Sequence, residues 1–168
     1  MSIHELLKAQ FELRIYEEGI WRIEKVLDML SIEEIWHSHN ATSNSIGHLV
    51  LHLCGNVTQW IGSGIGSQSD DRTRDWEFAA TEKFNHDALK IRLRALKPIT
   101  DAAMAKITSD DDLKRSLSIQ GFEETVLGVL VHVIEHFSYH TGQIAIMAKI
   151  LKGEDLGFYA DMNLNITN

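Results

Sequence analysis

Apolar positions recur along this chain at helical rather than alternating spacing. Between about Ser2 and Leu30, the residues Leu6, Leu13, Ile20, Val26, Leu27 and Leu30, with Phe11 less regularly, follow a helical period. Ser2 and Glu5 read as the capping box that starts this helix. A polar connection runs from Ser31 through IEEIWHSHNATSN. A second helix begins near Asn44–Ser45, with Asn44 as its N-cap. In it Ile46, Leu49, Val50, Leu53, Val57, Trp60 and Ile61 keep the i, i+3, i+4, i+7 pattern, and Gly62, Gly64 and Gly66 close it. The segment GSGIGSQSDDRTRDWEFAA reads as a long loop of the kind that often carries function.

A third helix is predicted from about Thr81 to Ile107, with Ala88, Leu89, Leu93, Leu96, Ile99 and Met104 as its buried stripe. Pro98 predicts a kink or break within it. SDDDLKRSLSIQG then connects, with a short extended piece at Ser116–Ile119. The fourth helix runs from about Phe122 to Leu151, and Gly153 is its C-terminal stop. Four amphipathic segments with two longer connections describe an all-α chain, a four-helix bundle in one domain over residues 1–168. A different all-α packing is the alternative; alternating strands for a sheet-based fold are missing, as is any repeat at a solenoid period.

Composition narrows the function classes. A formal net charge of −8 argues against a charge-driven grip on nucleic acid. No apolar run approaches the roughly 20 residues that span a bilayer, so no membrane partner is expected. MSIHELLKAQFELR lacks the apolar core of a secretory signal, and the single cysteine, Cys54, excludes an internal disulfide. A reducing, cytoplasmic setting follows as the expectation. No Ser-His-Asp or reactive-cysteine motif stands out, and GSGIGSQ is only a glycine run, without the strand that a phosphate loop follows.

Nine histidines are many for 168 residues, and five fall in two clusters, His48/His52 and His132/His136/His140. The second cluster sits in HVIEHFSYHTGQ. At about 100° per residue, Val126, Val133, Phe137, Ile144 and Leu151 mark the middle of the apolar stripe. His140 falls inside that stripe, His136 on its shoulder and His132 further round, which ranks their expected burial in that order. On the second helix His52 lies beyond the stripe's edge, beside Leu49 and Asn56, and His48 is turned further away. An i, i+4 pair can converge on one ion, and a third imidazole from a facing helix completes a site with an open position for water or substrate. Neutral imidazole suits zinc, nickel, copper and iron. The competing reading is three core histidines, each satisfied by one hydrogen bond. His4, His37, His39 and His86 read as surface residues, and Cys54 as a small core residue rather than a ligand.

At these residues the chain resembles the DinB-like, YfiT-type metal-binding four-helix bundles, over most of its length. NSIGHLVLHLCGNVTQWI (Asn44–Ile61) is similar to the family's second-helix motif, which maps a ligand to His52 rather than His48. VIEHFSYHTGQIA (Val133–Ala145) is similar to its His-x-x-x-His-x-Gly-Gln ending, which maps the other two to His136 and His140. The nearest likeness is to a branch known only as a domain of unknown function, where GNVTQWI, an RDWEF-like loop and EHFSYHTGQI tend to occur together. The resemblance implies a divalent metal, zinc or nickel, held by His52, His136 and His140, and pairing into homodimers. It also implies a small-molecule substrate: some relatives are S-transferases of low-molecular-weight thiols such as bacillithiol, and others isomerise maleylpyruvate with mycothiol.

Around these three residues, Gln143 shares the flank of His136 and His140, while Asn56 and Gln59 line the His52 side; each is a candidate metal-ligand partner or substrate contact. Tyr139 and Glu135 lie nearby in sequence. Arg74, Asp75 and Glu77, before the third helix, could cap the site, although a surface ion pair or a helix start is the favoured role. Three functions stay open: a metal-dependent enzyme, either thiol S-transferase or hydrolase; a non-catalytic, stress-related metal-binding protein; and a plain helical bundle.

Overall fold

In a computed structural model of the chain, which describes residues 1–80 and 83–167, Ser2 and Glu5 start the first helix as predicted. The Ser2 backbone N–H donates to the Glu5 carboxylate at 2.7 Å. Helix α1 (Ile3–Glu12) passes without interruption through a π-helical segment, π1 (Leu13–Ile20), into α2 (Trp21–Met29). Phe11, Ile15, Ile23, Val26 and Leu27 face the core, whereas Leu6, expected in the stripe, is 51% exposed. The connection after Ser31 contains one more turn, α3 (Ile32–Ile35), held by a reciprocal cap between Ser31 and Glu34.

The second rod is α4 (Ile46–Val57) continued by π2 (Thr58–Ile65). Ser45, not Asn44, is its cap: it accepts from the His48 N–H at 3.2 Å, and the His48 imidazole turns back to Ser45 in the place a glutamate usually takes. Gly62 and Gly64 do not end this rod but lie within it, and Gly66 follows its last residue. A Cβ on Gly62 would stand 2.7 Å from Ile99, so this glycine serves close packing rather than termination.

Part of the expected loop is helical, as α5 (Arg74–Ala79). The predicted third helix is two, α6 (His86–Arg94) and α7 (Leu96–Met104), separated at Ala95 and ending short of Ile107. Its expected start at Thr81 lies outside the described residues; the cap of α6 is Asn85, which accepts from the Ala88 N–H at 2.9 Å. Pro98 sits in the first turn of α7, where its missing N–H has no helical partner to lose. After a 3₁₀ turn at Asp112–Lys114, the extended piece β1 (Ser116–Ile119) pairs antiparallel with β2 (Phe122–Thr125). Gln120 and Gly121, both at positive φ (53° and 80°), make the two-residue turn between them. The last helix therefore begins at Val126 rather than Phe122, with Thr125 capping the Gly128 N–H at 3.0 Å. This helix, α8 (Val126–Lys152), ends at Gly153 in the left-handed conformation, φ 70°.

The chain is mostly helical, and its core lies where these rods meet. Helix α8 packs on π1, α2 and α4; α6 packs on α4 and α2; and α7 packs on π2. Val126, Val133, Phe137 and Ile144 of α8 are buried, as are Ile46, Leu53, Val57 and Ile61 of the second rod. Each such side chain contributes about 1.5–3 kcal/mol by leaving water. Short α5 packs across α4, so α4, α5 and α8 come together around the histidines. No helix among the described residues is long and apolar enough to cross a membrane.

Candidate metal centre

His52, from α4, meets His136 and His140, one turn apart on α8. One nitrogen of each lies within 4.8 Å of the others. The closest pair is Nε2 of His52 and Nε2 of His136, 3.1 Å apart across the helix interface. His52 is buried, at 5% exposure, and His136 and His140 are both half-buried. His132 is half-buried too and stands outside the trio, its ring 4.2 Å from that of Trp60 and stacked on His136 at 5.5 Å.

The far nitrogens of His52 and His140 are held by hydrogen bonds, while His136 Nδ1 is buried without a partner. His52 Nδ1 donates to the Glu77 carboxylate at 2.8 Å, which leaves Nε2 as a bare lone pair. Glu77, on α5, is 4% exposed and accepts two further bonds from Arg72, at 2.7 and 2.9 Å. Burial pushes the Glu77 carboxyl up, but Arg72 and His52 more than offset it and hold it below the usual carboxylate range. Gln143 Oε1 accepts from His140 Nδ1 at 2.7 Å, so Nε2 of His140 is the uncommitted nitrogen. Burial, reinforced by neighbouring His140 and His52, pushes His136 down to about 3. Burial lowers His140 as well, against the opposing bond to Gln143. The lowered His136 and His140 are favoured in the neutral form that binds a cation, and the proton shared between the facing Nε2 atoms of His136 and His52 is the one an ion would displace.

This donor set suits a metal. Two imidazole nitrogens on one tetrahedral zinc stand about 3.3 Å apart, given Zn–N bonds of about 2.0–2.1 Å, and the facing pair stands 3.1 Å apart. The Glu77–His52 bond is the carboxylate–histidine contact that orients metal ligands. The three-histidine group could hold a metal ion.

Glu77, expected in a surface ion pair or a helix start, is instead the buried partner of His52. Its neighbours in that expectation stay out: Asp75 is exposed, and Arg74 is exposed at the pocket rim over the Phe78 ring. Gln59 is buried and accepts from Arg72 at 2.8 Å while donating to Asp70 at 2.7 Å. Asn56 is 4% exposed, and its Oδ1 has no partner. Tyr139 is exposed, with its hydroxyl taking a bond from Gln143 at 3.2 Å, and Glu135 is exposed. His37 and His39 are exposed as expected, but His4 binds Asp110 and His86 binds the Leu30 carbonyl. Cys54 packs against the core, and burial pushes its thiol up to about 12.

Sequence reasoning missed Arg72 altogether. Arg72 lies just before the short helix α5, whose only buried residue is Glu77, and a helix that short leaves no periodic signal to point to it. A cavity of about 300 Å³ opens onto His52 and His136, walled by Asn56, Trp60, Arg74 and Phe122. A larger cavity, about 580 Å³, lies across the Arg72–Glu77 pair over Cys54, Trp76 and Leu96, and touches none of the three histidines.

Known proteins share this fold. Protein DinB of Bacillus subtilis is 22% identical over 153 residues, 84% of this chain and 86% of its own. A DinB-like protein from Bacillus cereus superposes with a TM-score of 0.62 at 18% identity, covering 93% of this chain and 95% of that one. The DinB-like protein YjoA from Bacillus subtilis gives 0.61 at 15% identity, covering 89% and 93%. A family profile described as "Protein of unknown function (DUF1572)" matches residues 5–160. By that match the chain belongs to the DUF1572 family, and it shares the fold of the DinB-like proteins it resembles.

Proposed function

We propose that the chain binds one divalent metal ion, zinc or nickel, through His52, His136 and His140, and that it is a metal-dependent enzyme transferring a low-molecular-weight thiol to an electrophile. The same reading takes the four helical rods as a DinB-type four-helix bundle that pairs as a homodimer in the cytoplasm. The observation that carries it is the facing Nε2 pair of His52 and His136, 3.1 Å apart, with the far nitrogen of His52 pinned by Glu77.

A divalent ion supplies there the positive charge that favours thiolate over thiol near neutral pH. The chain's own residues do the rest. Glu77 holds the His52 ring and keeps Nε2 free, Arg72 holds Glu77 in place, and Gln143 does the same for His140. The cavity beside them, about 300 Å³, is at the small end of ligand-sized sites. Cys54 is no rival nucleophile, because its thiol is buried and pushed far above neutral pH. A nucleophile brought by the substrate suits such a site.

The test is elemental analysis of untagged protein grown with zinc and nickel, with molar mass read by light scattering on the same sample. About one ion per chain is expected, held in a dimer, and strongly reduced in His136→Ala and His140→Ala. A small fraction of one ion in the wild type sinks the metal reading. If metal is present, thiols are screened with electrophiles, and no conjugate above the metal-free background rejects the transferase.

A further inference from the structure

The cavity over the histidines holds polar groups that metal binding leaves unused. Asn56 is 4% exposed, lines the cavity, and keeps a fully buried Oδ1 without a partner. A buried amide oxygen without a protein partner calls for an explanation, and a ligand in the adjoining cavity supplies one. Arg74 stands at the same cavity and takes part in none of the ion pairs among the described residues, in contrast to Arg72, which is committed to Glu77. The opposing charge is Glu124, at the N-terminus of α8, where it accepts from the Thr125 N–H at 3.2 Å and faces the positive end of the helix. Among the described residues the cavity therefore offers a guanidinium outside any ion pair, while Glu124, the acid in its lining, is partly compensated.

The apolar wall is also ready. Trp60 is locked by its indole N–H to Gln120 at 3.2 Å and by His132 against its face. Phe122, 6.4 Å from Trp60 and 62% exposed, presents a ring to the cavity mouth. An exposed phenylalanine, an arginine outside the ion pairs of the described residues and an amide oxygen without a partner describe a ligand with a flat apolar part and an anionic end.

We propose that this cavity binds a small carboxylate-bearing molecule with a planar apolar part. Arg74 takes the carboxylate, Phe122 covers the apolar part, and Asn56 hydrogen-bonds a polar substituent near the histidines. This names the substrate class of the site assigned above and rests on that reading for the neighbouring metal.

The test titrates 4-hydroxybenzoate and its uncharged analogue 4-hydroxybenzamide into zinc-loaded and metal-free protein, with zinc content measured on each sample. The carboxylate binds about tenfold or more tightly than the amide in both forms, as expected for a charge-assisted pair. Arg74→Gln removes that preference and keeps the wild-type zinc content and thermal transition. Asn56→Ala weakens binding of both probes severalfold. Equal binding of the two probes overturns the proposal, as does a preference that survives Arg74→Gln. A preference seen only with zinc and indifferent to Arg74 places the carboxylate on the metal and also overturns it. If no zinc binds but the Arg74-dependent preference persists, the metal reading fails and the carboxylate site stands.

Discussion

Asn56 separates folding from function at the level of one side chain. A buried amide with an unmade hydrogen bond costs about 1–3 kcal/mol, and asparagine is a weaker helix former than alanine. A residue kept for stability would not carry both penalties near the end of α4, inside the continuous rod that runs on into π2. Asn56→Ala is expected to leave the urea midpoint of the metal-free protein unchanged or raise it, by up to about 1 kcal/mol. A loss of about 2 kcal/mol or more would mean that the side chain is structural after all. The histidines were legible from sequence because helical phase alone put His136 and His140 on one flank and favoured His52 over His48. Their hydrogen-bond partners were less so. Gln143 shares a helix with His140 and could be read from its spacing, but Glu77 reaches His52 from another element.

At the scale of elements, the contact between α4 and α5 decides whether His52 is oriented. It depends on Gly55, where a Cβ would lie 1.9 Å from Glu77 Oε1 and 3.0 Å from Arg72 Nε. Gly55→Ala is therefore expected to push the Glu77 carboxylate off His52 while improving the helix propensity of α4 by up to about 1 kcal/mol. Metal affinity should fall about 10–100-fold, the usual effect of losing a ligand's orienting partner, with the helical circular dichroism unchanged. Competition against a chromophoric chelator measures it, and wild-type affinity would show that Glu77 does not orient the site. The glycine's role was invisible in the sequence because α5 was read as loop: six residues hold fewer than two turns, too little for a periodic signal. The same limit hid α3 and the strand Phe122–Thr125, whose residues are all exposed and so carry no inward–outward alternation. The long rods repeat their stripe over several turns, and they were read correctly except near their ends and at Ala95.

At the scale of the whole molecule, the proposed ligands tie together two rods whose histidines lie 84 residues apart in the chain. An ion that binds the folded arrangement and not the unfolded chain stabilises by mass action, about 2.7 kcal/mol at a free concentration about 100 times Kd. For a chain of this size about 1 kcal/mol moves the thermal midpoint by about 2–4 °C, so zinc should raise it by about 5–10 °C. The core is built without the metal, from buried side chains such as Phe11, Ile23, Leu53, Val133 and Phe137. Chelated protein should thus remain helical and cooperative with a lower midpoint, unlike a zinc finger, which unfolds without its ion. In His52→Ala the zinc-dependent shift should vanish, because one rod no longer contributes a ligand. Scanning calorimetry of loaded, chelated and His52→Ala protein separates the possibilities. Identical midpoints with and without zinc would remove the link between the rods, and unfolding on chelation would mean that the ion, rather than the apolar core, holds α4 against α8.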